Sequence, residues 1–219
     1  MNPFKIVIYF GHFVLLLNTI LYFKSYRKNS VAFKIICFYL LFSLTIQLWT
    51  SYLSYYKTPN LFLSHYYFVG QFLLLSFFYK NIFEIEIKKK LVKLCLIVIP
   101  VLVLLIYIIK PNEYYQFNLI EVIITSLPII FYSFLHFFEN LNFSKKFIYI
   151  NSGIFIYLIS STFLFSVGNF VNDSGSAKNI KRYVWFLNII LYLIYQILIF
   201  IEWYKNFRKP FSLQKSIEK

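Results

Sequence analysis

The chain has 219 residues, of which 60% are hydrophobic and only 14% charged. Its 28 Phe and 20 Tyr, with the aliphatic residues, are more apolar surface than a soluble domain of this length can bury. The formal charge of +14 would point to nucleic acid in a soluble protein. Here Lys and Arg lie mainly between long uncharged runs, which assigns them to membrane orientation and headgroup contact and argues against direct nucleic-acid binding.

Taken in chain order, the runs predict seven membrane-spanning helices. The first covers about Phe4–Phe23 and is closed by Lys24, Arg27 and Lys28. It lacks an A-x-A-like cleavage site and a strongly basic front, so it reads as a retained helix rather than a signal peptide. The second is about Ile35–Tyr56 and the third Leu61–Tyr79, joined by Lys57-Thr58-Pro59-Asn60. A basic loop, Lys88–Lys93, leads into the fourth span, Leu91–Ile109. This span carries Lys93 near its start and Pro100 inside, and is the weakest of the seven assignments. The fifth is Gln116–Phe138, the sixth Phe147–Val171 and the seventh Tyr183–Ile201. The longest polar connection is Asn172–Arg182. Continuous rather than alternating apolar runs exclude a membrane β-barrel.

The fold class is therefore all-α, a polytopic seven-transmembrane-helix bundle in one domain, 1–204, with a basic tail, 205–219. Positive-inside counting sets the orientation. Sixteen of the 22 Lys and Arg fall in the loops after spans one, three and five and in the tail. The expectation is a bacterial inner-membrane protein with its N-terminus outside and its C-terminus cytoplasmic. Trp185, Trp203 and Tyr204 sit at span ends, as interfacial anchors do.

Glu121 is the one residue charged at neutral pH that lies inside a span rather than at its edge. A charge in hydrocarbon is expensive and faces a cavity, a partner or the bundle interior. Asn118 and Thr125 share its helical face. With the N-terminus outside, His12, Gln47, His65, Glu121, Asn169 and Asn188 all fall at middle-to-outer depth. Together with Asn118 they form a candidate outward-facing polar pocket. Ser43, Gln47, Ser51 and Ser54 stripe the second helix, and Asn188, Tyr192, Tyr195 and Glu202 the seventh. The alternative for any one of them is interhelical hydrogen bonding. For Glu121, placed two turns or fewer below the surface, the alternative is hydration at the headgroups.

Catalytic motifs are missing. His12, His65 and His136 lie on three helices without an i, i+4 pair, unlike zinc hydrolases of the ceramidase and adiponectin-receptor type. His12, His65 and Glu121 are the only combination resembling a zinc set, and spacing adds nothing to it. Ser152-Gly153 lacks the surroundings of a rhomboid protease, and no Walker A loop or dinucleotide fingerprint occurs. Cys37 and Cys95 have no partner at metal spacing and read as apolar fillers. No cofactor or metal is assigned.

The stretches Ser64–Lys80, Asn118–Phe134, Phe147–Phe165 and Trp185–Leu198 resemble a diverse set of small inner-membrane proteins common in flavobacteria and their relatives. In that set an acidic residue often occupies the positions of Gln47 and Gln71, while Glu121 is matched. The resemblance implies seven helices and brings no established activity. In size and composition the chain also resembles the transmembrane accessory proteins of type VI-B CRISPR loci. That likeness implies modulation of an RNA-guided RNase, or action on the membrane in phage defence.

The leading expectation is a non-enzymatic, receptor-like or regulatory membrane protein. Its partners would be the bilayer and a second protein, and the reading admits a homo-oligomer. Lys88, Lys89, Lys90, Arg208 and Lys209 are the candidate contacts for a partner or for headgroups. An intramembrane enzyme or transporter for a lipid-like substrate is the further alternative.

Overall fold

The structure is a computed structural model and describes residues 3–139, 146–170 and 177–208. Seven helices are present among them: α1 (Pro3–Lys24), α2 (Val31–Tyr55), α3 (Phe62–Ile82), α4 (Glu86–Ile109), α5 (Leu119–Glu139), α6 (Ile148–Phe170) and α7 (Ala177–Glu202). Six of them are long and apolar enough to cross a membrane, and the chain is an integral, multi-pass membrane protein.

Helix neighbours fix an arrangement that no sequence pattern shows. Helices α1, α2, α3, α5, α6 and α7 form a closed ring in which each packs on the next and α7 returns to α1. Helix α4 stands outside, in the groove between α3 and α5. It has the highest mean hydropathy of the spans, 3.0, and the least burial. Leu94, Ile97, Leu104 and Ile108 point outward from it, as lipid-facing residues do. The fourth span is thus the most secure rather than the weakest, and it runs unbroken through Pro100. Its start also differs from the expectation. Glu86 opens the helix, so Lys88, Lys89 and Lys90 belong to its first turns and not to a loop.

The one helix that falls short in apolarity is α3. Its 21 residues still reach about 31 Å, enough for the hydrocarbon core. Its polar side chains face protein instead of lipid. His65, Gln71 and Ser76 are buried, as are Phe72, Leu75 and Phe78. The Gln71 amide donates to the hydroxyls of Tyr39 and Tyr67, both at 3.1 Å. The Tyr79 hydroxyl donates to Asn151 Oδ1 at 2.7 Å, and Asn151 also bonds Ser133 of α5. A hydropathy average cannot tell a polar residue that faces a partner from one that faces water.

Elsewhere the bundle is held by packing and by amides. Asn18 donates to the Gln196 carbonyl at 2.8 Å and Tyr22 to the Ile199 carbonyl at 2.9 Å, joining α1 to α7. In the membrane such bonds contribute about 0.6 kcal/mol each. Close backbone approach matters more at Gly153. A Cβ there would lie 2.7 Å from the Tyr195 ring and 3.3 Å from Leu198 Cβ. The Tyr195 ring is stacked on Tyr157 at 5.4 Å and cannot swing aside. Gly153→Ala is expected to lower stability by about 1–3 kcal/mol through overpacking. Gly11→Ala, with nothing within 4 Å of the new methyl, is the control and should be neutral. Thermal midpoints in one detergent would decide it, and equal midpoints for the two variants would refute the packing argument.

Helix α7 does not end in a free tail at residue 205. Trp203–Phe207 continue it as a π-helical turn, and Phe207 is buried against Phe33 and Phe147. The boundary expected between 204 and 205 therefore falls inside a packed segment.

Candidate functional site

The polar residues expected to share one pocket divide between two places, on opposite sides of α3.

The first place is the triangle of α3, α4 and α5 outside the ring. Helix α5 begins at Leu119, not at Gln116, which puts Glu121 in its first turn. Asn118 caps that turn: its Oδ1 accepts the Glu121 backbone N–H at 3.1 Å. The Asn118 amide also donates to Glu113 Oε2 at 2.7 Å. Glu121 is nevertheless fully buried. The single-turn connector Pro111–Tyr115 folds over it, so neither headgroup hydration nor mid-membrane exposure applies.

His65 Nδ1 lies 2.5 Å from Glu121 Oε2, and the Tyr107 hydroxyl donates to the same oxygen at 2.5 Å. His65 Nε2 meets the Tyr114 carbonyl at 2.9 Å. A carbonyl only accepts, so Nε2 carries a hydrogen. The Tyr107 hydroxyl also lies 2.6 Å from Nδ1, so Nδ1, Oε2 and that hydroxyl form one hydrogen-bonded triangle. Four segments are tied here: α3 through His65, α4 through Tyr107, α5 through Glu121 and the connector through Tyr114. The Tyr114 hydroxyl is itself bonded to Tyr66 at 3.0 Å, which pushes its pKa up to about 12.

This cluster corrects the expected company of Glu121. One histidine, not two, reaches it, and the other partner is a tyrosine from the fourth helix. Among the described residues no group of three His, Cys, Asp or Glu is placed to hold a metal. The combination of His12, His65 and Glu121 does not form. Asn118 is a helix cap rather than a pocket residue. Asn169 is exposed near the end of α6 and joins neither place.

The second place is the mouth of the ring, at the end where α1 begins. A vestibule of about 650 Å³ opens there between α1, α2, α3 and α7. His12, Gln47 and Asn188 line it, with Ser51 and Ser54 on its rim. Its deeper wall is aromatic: Tyr67, Tyr157 and Tyr192. Gln47 Oε1, Asn188 Oδ1 and the Tyr192 hydroxyl are buried and make no hydrogen bond of normal geometry. Trp185, read as an interfacial anchor, stands in the wall, partly exposed.

The other mouth has a smaller cavity, about 480 Å³, bordered by Asn81, His136, Glu139 and Phe147. Between the two cavities the ring is filled. Tyr39, Phe72, Tyr79 and Tyr195 are buried there without a gap to solvent.

Four of the five candidate contact cations are described, and they have partners within the chain or lie on its surface. Lys88 pairs with Glu139 at 2.9 Å and donates to the Leu135 carbonyl at 3.3 Å, joining α4 to the end of α5. Lys89 pairs with Glu86 at 2.7 Å, and Lys90 is exposed. Arg208 lies over the Tyr204 ring at 4.7 Å. Lys209 falls outside the described residues.

No protein-family model matches the sequence, and no curated protein or solved structure matches the chain.

Proposed function

We propose that this protein is a ligand-responsive membrane protein of receptor-like or regulatory kind, without catalysis, that passes the state of its vestibule to a protein partner on the opposite face. The vestibule carries this reading. It lies within the usual size range of small-molecule sites, is mostly apolar, and holds a few buried polar groups still lacking partners. The remaining support is the charge distribution. Basic residues crowd the far ends of the helices, where a cytoplasmic partner or anionic headgroups would be met.

The test uses cysteine reporters in a Cys37→Ala, Cys95→Ala background. A cysteine at Lys57 should react with a membrane-impermeant maleimide in intact cells, and one at Arg27 only after permeabilisation. Ser51→Trp fills the vestibule from its exposed rim. It should change the labelling rate at position 27 at least threefold. The reverse labelling pattern would overturn the orientation, and an unchanged rate would overturn the coupling.

A carrier is the second reading, favoured by the two cavities at opposite mouths of one helix ring. It requires the aromatic plug to open, and flux across proteoliposomes would separate it from a receptor.

A further inference from the structure

The lining of the vestibule narrows what it binds. Among the described residues no Lys, Arg, Asp or Glu lines it, and His12 is the one basic side chain there. An ionised headgroup would lose its hydration there and find no carboxylate, ammonium or guanidinium to replace it. The buried groups without partners are mainly acceptors. Gln47 Oε1 and Asn188 Oδ1 each sit at less than 1 Å² of exposure with no hydrogen bond of normal geometry, although the Tyr157 hydroxyl faces Asn188. Tyr192 is more than nine-tenths buried, and its hydroxyl faces Gln47 and Gln196 without closing a normal bond to either. Such groups are costly to bury unless something bonds them. Beside them the wall carries Ile8, Ile46, Leu63 and Ile189, while Thr50, Ser51 and Ser54 follow towards the mouth.

We infer that the vestibule takes an uncharged amphiphile whose polar end carries hydroxyl or amide donors. The donors meet Gln47 and Asn188 at the floor, the aromatic faces of Tyr67 and Tyr157 flank them, and the apolar body lies along the isoleucines. This inference rests on the reading of the vestibule as a ligand site and adds the ligand's chemistry. The headgroup of a neutral lipid and a free hydroxylated metabolite share that chemistry.

Trp185 in the wall supplies the reporter. In a Trp49→Phe, Trp203→Phe variant, held in phosphatidylcholine nanodiscs, its emission is titrated with three probes of one chain length. They are monodecanoylglycerol, decanoate and decyltrimethylammonium. Glycerol alone, in a fourth titration, separates a free hydroxylated solute from a lipid. The expected result is saturable change with monodecanoylglycerol, at least tenfold tighter than with either ion. Gln47→Leu and Asn188→Leu should each weaken it about tenfold. Ser51→Phe, on the rim and away from the core, should abolish it even if the leucine variants fail to fold, and adds no second tryptophan to the readout. Equal or tighter binding of decanoate or the trimethylammonium overturns the ligand class and leaves the vestibule standing as a site. Binding of monodecanoylglycerol that survives Ser51→Phe overturns the location. Absence of saturable change with every probe overturns the ligand-site reading together with the inference.

Discussion

Glu121→Ala should lower the stability of the folded bundle by about 3–5 kcal/mol, the range for breaking a buried ion pair from one side. The reason is the company the substitution leaves behind. His65 is 5% exposed, and its Nε2–H is already committed to the Tyr114 carbonyl. Without Glu121 the Tyr107 hydroxyl can turn to His65 Nδ1, 2.6 Å away, but the space of the carboxylate is left empty beside two buried polar groups that it had held together. Average hydrogen bonds in membrane bundles contribute about 0.6 kcal/mol, far less than this. The difference between the two magnitudes identifies the interaction. Glu121→Gln keeps one acceptor and should lose less. The double variant His65→Leu, Glu121→Leu removes both polar partners and should recover most of the loss, because matched apolar replacements of buried pairs are often neutral. Denaturation midpoints of the four proteins in one detergent form the cycle. A Glu121→Ala midpoint within error of the parent would mean that the residue is hydrated after all.

How far the sequence could be read depended on what each signal averages over. Span existence rests on a mean over some 20 residues, and the apolar runs were long enough for seven helices to be read correctly. The same averaging misjudged the extremes. It made α4 look weak because of Lys93 and Pro100, although α4 is the lipid-facing helix. It gave no warning about α3, whose His65, Gln71 and Tyr79 lower its apolarity because they bond to other helices. Helical periodicity identified the stripe that became the vestibule: Gln47, Ser51 and Ser54 with Asn188 and Tyr192. Periodicity does not say which helix a stripe faces. Depth alone therefore merged Glu121 and His12 into one pocket, and the ring order separates them. Tyr107 and Tyr114 were missed because tyrosine is common here, with 20 in the chain, and a hydroxyl ligand looks like any other anchor. Asn118 three residues before Glu121 is a recognisable cap spacing, and it marks the true start of α5.

Glu202→Ala should cost about 3 kcal/mol or more, by a route unlike that at Glu121. Glu202 has no cation as its main partner. It is fully buried, and both oxygens accept backbone N–H groups at the start of α6. Oε1 takes Phe147 N–H at 2.7 Å and Oε2 takes Tyr149 N–H at 3.0 Å. The side chain of Asn206 adds a third bond at 2.6 Å. The last residue of α7 therefore caps the first turn of α6 from outside its own chain segment, with the negative charge where the helix dipole favours it. The backbone at Phe147 raises what the cap must hold. Its φ of 74° lies in the left-handed region, which a bulky residue occupies at a cost of about 1–3 kcal/mol. Its ring is locked between Phe78 and Phe207, each at 5.4 Å, so the strained turn also seals the aromatic core at this end. Removing the carboxylate orphans two buried N–H groups, at about 1–3 kcal/mol each. Glutamine does not rescue the loss here. Its carboxamide offers one acceptor where two are used, and it sets an NH₂ donor against a backbone donor. Glu202→Gln should therefore resemble Glu202→Ala, in contrast to the partial rescue expected at Glu121. Hydrogen exchange at residues 147–150 should speed up in both variants before any change at α1. A Glu202→Gln protein that melts with the parent and keeps slow exchange there would show that the cap does not hold the turn.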